Sequence, residues 1–378
     1  MSGAWMKPEI AVVGGGPAGL CAAIAAADMG ADVLLVDRCG KPGGQLVKQT
    51  HMFFGSQKQH ASVRGIDIAG ILVRELDEKG RSRGRVRVLT DTTVLGLYED
   101  GVLTADRNGE YIKIKPGAAV VATGASEKYA SFANNDLPGI YGAGAVQTLM
   151  NEHGVSPGRS ALMVGSGNIG LIVSYQLAQA GVKVKAVVDA APVIGGYLVH
   201  ASKVRRMGIP IYTSHIVAKA HGAETFERAT IVGVDGQWRR IAGTERDIEA
   251  DILCISVGLS PLSELLWQAG CKMRYIAELG GYVPLRDGHL RTSVPGVYAA
   301  GDAAGVEEAS SAMVEGRLAG ICAARSVGRG APGFDRQLEE CERELGELRK
   351  GPVGEKIRRG LAKTRLDAQI NTPEGKQC

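Results

Sequence analysis

The chain has 378 residues, 45% of them hydrophobic, and 53 glycines, enough for two or three domains and a large core. That glycine content fits an α/β protein with tight strand–helix turns and excludes a disordered or fibrous chain. A net charge of +4 without a concentrated Lys/Arg block in the folded part argues against a nucleic-acid surface, and no apolar run reaches the roughly 18 residues that span a bilayer.

A single lysine, Lys7, precedes the first apolar run; this is not a charged-then-apolar leader, and export is not expected. The seven cysteines, at 21, 39, 254, 271, 322, 341 and 378, contain no C-x-x-C or zinc-like pair. Such a scattered, odd set fits a reducing cytoplasm, the expected location.

Ile10 to Val13 reads as a buried strand, followed by Gly14-Gly15-Gly16-Pro17-Ala18-Gly19. Gly14, Gly16 and Gly19 have the G-x-G-x-x-G spacing of a dinucleotide-binding turn: one glycine for the turn, one for backbone approach to a diphosphate, one for close helix packing. The helix that follows offers free amides and partial positive charge to an anion. Its Ala-rich body, Leu20 to Met29, stops at Gly30. Val33 to Val36 is the second strand, and Asp37 at its carboxyl end suits the hydroxyls of an adenosine ribose.

Gly40 to Leu46 is too glycine-rich for regular structure. It leads into Lys48-Gln49-Thr50-His51-Met52-Phe53-Phe54-Gly55, a loop crowded with His and aromatic residues. Asp67 to Glu78 has helical spacing at Ile68, Ile71, Leu72 and Leu76. From Arg85 to Lys115 the period falls to two, with hairpin signals at Asp100-Gly101 and Asn108-Gly109. Ala118 to Ala125 is a buried strand that breaks at Thr123-Gly124, a turn that lets backbone pass close to a cofactor.

The same grammar then repeats. Ser160 to Val164 is a strand, Gly165-Ser166-Gly167-Asn168-Ile169-Gly170 a second G-x-G-x-x-G, Leu171 to Ala180 a helix, and Val182 to Val188 a strand ending at Asp189. A helix over Tyr197 to Met207, a strand over Ile209 to Tyr212 and a hairpin-like region from His215 to Ile248 follow. Ile252 to Gly258 closes this unit as Val120 to Gly124 closes the first. A third strand ends at Gly301-Asp302, before a small-residue helix from Ala309 to Val327. Phe334, Leu338, Cys341, Leu345 and Leu348 fall at 4-3-4-3 spacing, a helical seam that docks on its own body or on a partner. Beyond Gly351-Pro352 a solvated basic tail is expected, with Lys356, Arg358, Arg359, Lys363 and Arg365.

These motifs together resemble the flavoproteins with two dinucleotide-binding domains, of the pyridine nucleotide-disulfide oxidoreductase type. The Gly-Gly-Gln-Leu loop is similar to that of thioredoxin reductases. A more specific resemblance is to the α subunits of heteromeric amine and amino-acid dehydrogenases: hydrogen cyanide synthase, opine oxidase, proline dehydrogenase and sarcosine oxidase. Val187 to Pro192, Ala269 to Tyr275, Gly280 to Pro284 and Glu315 to Gly320 carry it, and it covers about residues 7 to 328. The fold it implies is α/β, with two Rossmann-like β/β/α domains, the NAD-binding one inserted into the FAD-binding one. The boundaries expected are 1–125 and 259–330 for FAD, 126–258 for NAD(H), and 331–378 for a charged helical tail.

The resemblance also implies the cofactor contacts. FAD would lie on Gly14, Gly16, Pro17, Ala18 and Gly19, with Asp37 and Arg38 at its ribose. Gly44, Gln45, Thr123 and Gly124 would line it, and Gly301 and Asp302 would meet its ribityl and phosphate. NAD(H) would take Gly165, Gly167, Asn168, Ile169, Gly170, Asp189 and Gly258. Asp189 favours NAD(H): a carboxylate about 4 Å from a 2′-phosphate costs on the order of 4 kcal/mol per unit charge at an effective dielectric of 20. Either Phe53 and Phe54 merely anchor their loop, or Gln45, Lys48 or His51 stands beside the flavin ring as a catalytic candidate.

No metal site is expected. Thioredoxin reductases need a vicinal cysteine pair, which this sequence lacks, so direct disulfide reduction is not expected. Some members of the resembling group hold an iron–sulfur centre in a C-terminal cysteine-rich module; here only Cys341 and Cys378 lie there, so any such relay belongs to another subunit. The expected function is that of an FAD-dependent NAD(H) oxidoreductase within a hetero-oligomer. It would pass electrons between the nicotinamide and a flavin- or iron–sulfur-containing partner, in a complex acting on amines, amino acids or aldehydes. The alternatives are a stand-alone reductase of a small acceptor and a non-catalytic flavin-bearing scaffold.

Overall fold

The computed structural model describes residues 5–53, 56–82 and 86–366. Phe54, Gly55, Arg85 and Cys378, all named above, lie outside the described residues. The chain divides into two compact units. Met1–Val47, Met52–Ser126 and Ser260–Cys378 form one; Lys48–His51 and Glu127–Leu259 form the other. The fold is mixed α/β, and each unit has its own parallel sheet.

In the first unit five parallel strands run in the order Val297–Ala299, Ala118–Val121, Ile10–Val13, Val33–Val36, Val86–Leu89. Every residue of Ile10–Val13, Val33–Val36 and Ala118–Val121 is buried, which is why they read as continuous apolar runs. Helices Pro17–Asp28, Gly65–Ser82 and Ala309–Ser326 pack on one face, with Val12, Leu35 and Val120 in their core. A four-stranded sheet of Trp5–Met6, Glu110–Ile114, Leu103–Arg107 and Thr92–Leu97 covers the other. At its Asn108-Gly109 hairpin both turn residues have positive φ, 53° and 83°, as a two-residue turn of this hand requires.

Two expectations need correction here. Val86 and Val88 are not part of the antiparallel meander: Val86–Leu89 is the parallel edge of the central sheet, paired with Val33–Val36. A half-buried edge strand alternates like a hairpin strand, so periodicity does not separate them. Within the glycine-rich stretch, Gly44–Lys48 forms a short 3-10 turn where irregular chain was expected.

The small residues of Ala309–Ser326 have a specific purpose. A Cβ on Gly316 would collide with the carbonyl oxygen of Ala18, and one on Gly320 with that of Ala22. Glycines four apart on one helix therefore seat it directly on the backbone of Pro17–Asp28, one turn at a time.

Helix Phe334–Leu348 docks on its own body. Cys341 and Leu345 are buried in the helix-side core, with Phe334, Leu338 and Leu348 packed against it. The solvated tail is not observed up to residue 366: Gly351–Ala362 is a helix, and Ile357 and Leu361 pack on Ile276, Leu279 and Val283. The expectation failed because two apolar residues among many charges carry little signal. What seats the helix is Gly360, whose Cβ would lie 2.7 Å from Leu279 Cγ. Lys356, Arg358 and Arg359 on this helix, and Lys363 and Arg365 just beyond it, are exposed.

The second unit repeats the plan. Its parallel strands run Ile140–Gly142, Ile252–Ile255, Ser160–Val164, Lys183–Val188, Ile211–Tyr212. Helices Ala143–Gln147, Asn168–Gln179 and Leu198–Arg206 cover one face. An antiparallel sheet of His215–His221, Arg228–Gly233 and Arg246–Glu249 covers the other.

Candidate functional site: two glycine cradles

The first cradle sits where Ile10–Val13 turns into Pro17–Asp28. Its glycines are needed for two different reasons. A Cβ on Gly14 (φ +101°) would strike the carbonyl oxygen of Ala122, and one on Gly19 the carbonyl of Gly14; these two serve the packing of strand and helix. Gly16 caps the helix and is not tightly packed: a Cβ there would meet only Gly44 Cα, at 3.9 Å. Backbone amides there can be approached closely by an anion. Pro17 starts the helix, where it loses no hydrogen bond, and Ala18 is buried against Gly301, whose Cβ would lie 2.8 Å from that of Ala18.

The second cradle reproduces this division. Cβ atoms on Gly165 and Gly170 would strike the carbonyls of Ser256 and Gly165, whereas Gly167 has nothing within 4 Å. Asn168 opens the helix and accepts the Tyr197 amide on its side-chain oxygen at 2.8 Å, and Ile169 on the same turn is 38% exposed.

Both predicted acids brace their own cradle. The Asp37 carboxylate accepts the amides of Gly15 and Cys39. Asp189 accepts the amide and hydroxyl of Ser166, both at 2.6 Å, and the amide of Ala191 at 2.8 Å. Each carboxylate thereby stitches the glycine loop to the residue two beyond itself, and each keeps lone pairs for a ribose hydroxyl. Arg38 is exposed.

A third repeated element was missed. Gly43 donates its amide to the Gly15 carbonyl at 2.7 Å, and Gly196 donates to the Ser166 carbonyl at 2.8 Å. A Cβ on Gly44 would lie 2.7 Å from Gly16 Cα, and one on Gly196 would lie 3.0 Å from the Asn168 amide nitrogen. The signal was present: Val36-Asp37 and Val188-Asp189 are each followed, after five residues, by Gly-Gly-x-Leu.

Thr123 donates its hydroxyl to the Leu262 carbonyl at 2.6 Å, and Gly124 (φ +78°) accepts the Leu262 amide at 2.9 Å. Gly258 (φ +116°) accepts the Lys128 amide.

The Gly301–Asp302 turn lies beside a buried ion network that sequence reading did not find. Glu315 accepts hydrogen bonds from both terminal guanidinium nitrogens of Arg286, at 2.7 and 2.9 Å, and from Arg349 at 2.6 Å. Burial alone would raise the Glu315 carboxyl; Arg286 and Arg349 instead bring it down to about 2. Asp302 goes the other way, to about 7, through burial and the nearby Glu307 and Glu315. A carboxyl that stays partly neutral at pH 7 repels a diphosphate less and can donate a hydrogen bond.

The catalytic candidates fall in different units. Gln45 is exposed beside Gly44 in the first unit. Lys48 and His51 belong to the second. Lys48 donates to the Gly144 carbonyl and the Thr148 hydroxyl, and Gln176 donates to Thr50. The His51 ring meets His200 edge-on at 6.3 Å, and burial with His200 and Lys203 nearby lowers the His51 imidazole to about 4. Phe53 is buried in the first unit's core.

The described thiols are poorly suited to redox work. Cys21, Cys254 and Cys322 are each pushed by burial to about 12, and Cys39, Cys271 and Cys341 are also raised, which suppresses the reactive thiolate. Among the described residues no cluster of His, Cys, Asp or Glu could hold a metal ion, and no helix is long and apolar enough to cross a membrane.

Comparison with known proteins matches this arrangement. The chain is 29% identical over 343 residues to the sarcosine oxidase α subunit of Rhizobium meliloti, covering 87% of this chain but 31% of that protein. It is 26% identical over 339 residues to the A component of the opine oxidase of Agrobacterium tumefaciens, covering 83% and 65%. It thus spans about a third of the one relative and about two thirds of the other. Among solved structures, L-proline dehydrogenase from P. horikoshii shares the fold, with a TM-score of 0.68 at 23% identity over 92% of this chain and 60% of that one. The family model for pyridine nucleotide-disulphide oxidoreductases matches residues 8–316, a span holding both cradles, both acids and the Gly301–Asp302 turn; the chain belongs to that FAD- and NAD(P)-binding family.

Proposed function

We propose that the chain is the FAD-dependent, NAD(H)-linked oxidoreductase subunit of a larger complex and exchanges electrons with a second redox protein. The observation that carries this reading is the duplicated cradle: two open helix N-termini at Gly16 and Gly167, each braced by an aspartate and overlaid by a Gly-Gly loop. Residues Gly14 to Gly19, with Asp37 and the Gly301–Asp302 turn, would hold FAD. Residues Gly165 to Gly170, with Asp189, would hold the nicotinamide dinucleotide and prefer the form without a 2′-phosphate. When bound, FAD supplies two-electron exchange with a nicotinamide and one-electron exchange with another centre. The chain's own part is to position both dinucleotides.

Disulfide reduction is disfavoured because the sequence holds no vicinal cysteine pair and the described thiols are raised by burial. A protein partner is favoured because relatives are subunits of a sarcosine oxidase and an opine oxidase; an amine or amino acid is the substrate class proposed for the complex, with an aldehyde as the alternative. Anaerobic titration of the FAD-loaded chain with NADH tests the reading. Bleaching of the flavin absorbance, followed by reoxidation with a one-electron dye, is expected. Flavin that NADH leaves oxidised would overturn it in favour of a scaffold.

A further inference from the structure

The Gly301–Asp302 turn is held at both of its residues by two glutamates, and the two glutamates share one arginine. The Gly301 amide donates to Glu315 Oε2 at 3.0 Å, and the Glu307 amide donates to Asp302 Oδ1 at 3.2 Å. Arg349 then spans the glutamates. Its Nε and Nη2 donate to the two Glu307 oxygens at 2.9 and 2.7 Å, and Nη2 also donates to Glu315 Oε1 at 2.6 Å. Arg286 occupies the remaining side of Glu315 and donates to the Ala299 carbonyl, the end of the strand that leads into the turn.

Arg349 comes from far along the chain: it follows helix Phe334–Leu348 and precedes helix Gly351–Ala362. Both helices are anchored close by. Leu345 enters the helix-side core with Leu348 packed against it, and Ile357 and Leu361 pack on Leu279. Leu279 also touches the turn's far end, since a Cβ on Gly305 would lie 3.2 Å from Leu279 Cδ2 and the Val306 amide donates to the Leu279 carbonyl. A buried arginine serving two carboxylates is a costly arrangement unless its charge is well paired, and here Glu307 and Glu315 take its Nε and Nη2.

We infer that Arg349 is a positioning residue for the Gly301–Asp302 turn, and that the C-terminal helix pair is therefore a working part of the FAD site. Bidentate pairing fixes the plane and position of the Glu307 carboxylate, and through the Glu307 backbone it fixes the direction of the Asp302 side chain. The Arg349 side-chain bonds go to Glu307 and Glu315, and through them it acts on the turn. This rests on the reading that the turn meets FAD.

The test is FAD affinity of the full-length apo chain, followed by quenching of flavin fluorescence, for wild type, Arg349→Ala, Arg349→Lys, Asp302→Asn and the double variant Arg349→Ala/Asp302→Asn. Arg349→Ala is expected to weaken FAD binding about ten-fold or more, the scale of a lost charge-assisted pair. Arg349→Lys, which keeps charge but loses the fork, should fall between. If Arg349 acts through Asp302, the arginine change costs far less in the Asp302→Asn background, a coupling that general loosening of the fold does not produce. Wild-type affinity in Arg349→Ala, or full additivity in the double variant, overturns the inference. Wild-type affinity in Asp302→Asn instead overturns the reading that the turn meets FAD. Should Arg349→Ala not fold, Arg349→Lys decides alone, and unchanged affinity there counts against the inference.

Discussion

The amide of Gly43 donates to the carbonyl of Gly15 at 2.7 Å. Gly44, next in line, has φ +53°, and a Cβ placed on it would lie 2.7 Å from Gly16 Cα. The Gly-Gly loop thus lies flat on the glycine turn and borders the open N-terminus of Pro17–Asp28. Gly44→Ala carries both a left-handed backbone penalty and a backbone clash. FAD affinity of this variant is expected to drop at least ten-fold, with the loop lifted off Gly16. Flavin fluorescence quenching reads it, and an affinity within two-fold of wild type would contradict the proposed cradle.

The helix interface at Gly316 predicts stability, not affinity. Adding a methyl that strikes the Ala18 carbonyl forces two helices apart, and Gly316→Ala should cost about 2 kcal/mol or more. Gly346 lies in the exposed part of helix Phe334–Leu348 with nothing within 4 Å and no positive φ. Gly346→Ala should stabilise by about 0.5–1 kcal/mol through helix propensity. Urea unfolding of the two variants should therefore move in opposite directions; movement in one direction would refute the packing account.

Much of this was legible because each repeated piece is local. A strand, a glycine turn, a helix and an acid fall within about thirty consecutive residues, and each leaves a periodic or compositional trace. The Gly195-Gly196 echo of Gly43-Gly44 is equally local and leaves the same compositional trace. The Arg286–Glu315–Arg349 network was not readable: its members are 29 and 34 residues apart, with no period to connect them, and a charged residue alone reads as surface. The final helix was hidden for a related reason. Its seating depends on the absence of a side chain at Gly360 opposite Leu279, a fit between surfaces that hydrophobic spacing does not record.

Two groups with opposite linkage predict how stability follows pH. Asp302 has a folded pKa of about 7, raised by burial above its ordinary 3.8. Between these values the folded state holds a proton that the unfolded state has lost, so this contribution is present below pH 3.8 and disappears as pH rises through 7. His51 is lowered by burial from 6.5 to about 4; its contribution is present above pH 6.5 and disappears as pH falls through 4. Relative to wild type, Asp302→Asn should gain stability progressively from pH 4 to 7, by up to about 4 kcal/mol. His51→Asn should remove part of the acid sensitivity between pH 6.5 and 4, by up to about 3 kcal/mol. Urea midpoints of the apo protein at several pH values measure both, and parallel curves for wild type and variant would eliminate the corresponding assignment.

Asp189 braces its own loop and, in the proposed function, also meets the ribose of the nicotinamide dinucleotide; a single substitution separates the two. Its carboxylate accepts the Ser166 amide and hydroxyl and the Ala191 amide, so Asp189→Ala leaves those donors without their partner. The expected cost is about 1–3 kcal/mol in the unfolding free energy, whether or not any dinucleotide is present. The second effect concerns the ligand. Without the negative charge, a 2′-phosphate is no longer repelled, while a ribose hydroxyl loses its acceptor. The ratio of NADPH to NADH affinity should rise by about ten-fold or more, chiefly through weaker NADH binding, with any gain for NADPH limited by the absence of an arginine in Ala190 to Tyr197. Asp189→Asn refines the comparison, since it keeps a carbonyl oxygen for one amide but removes the charge. It should recover part of the stability and retain the shifted ratio. An Asp189→Ala variant that loses stability but keeps the wild-type ratio would mean that the aspartate braces its loop and nothing more.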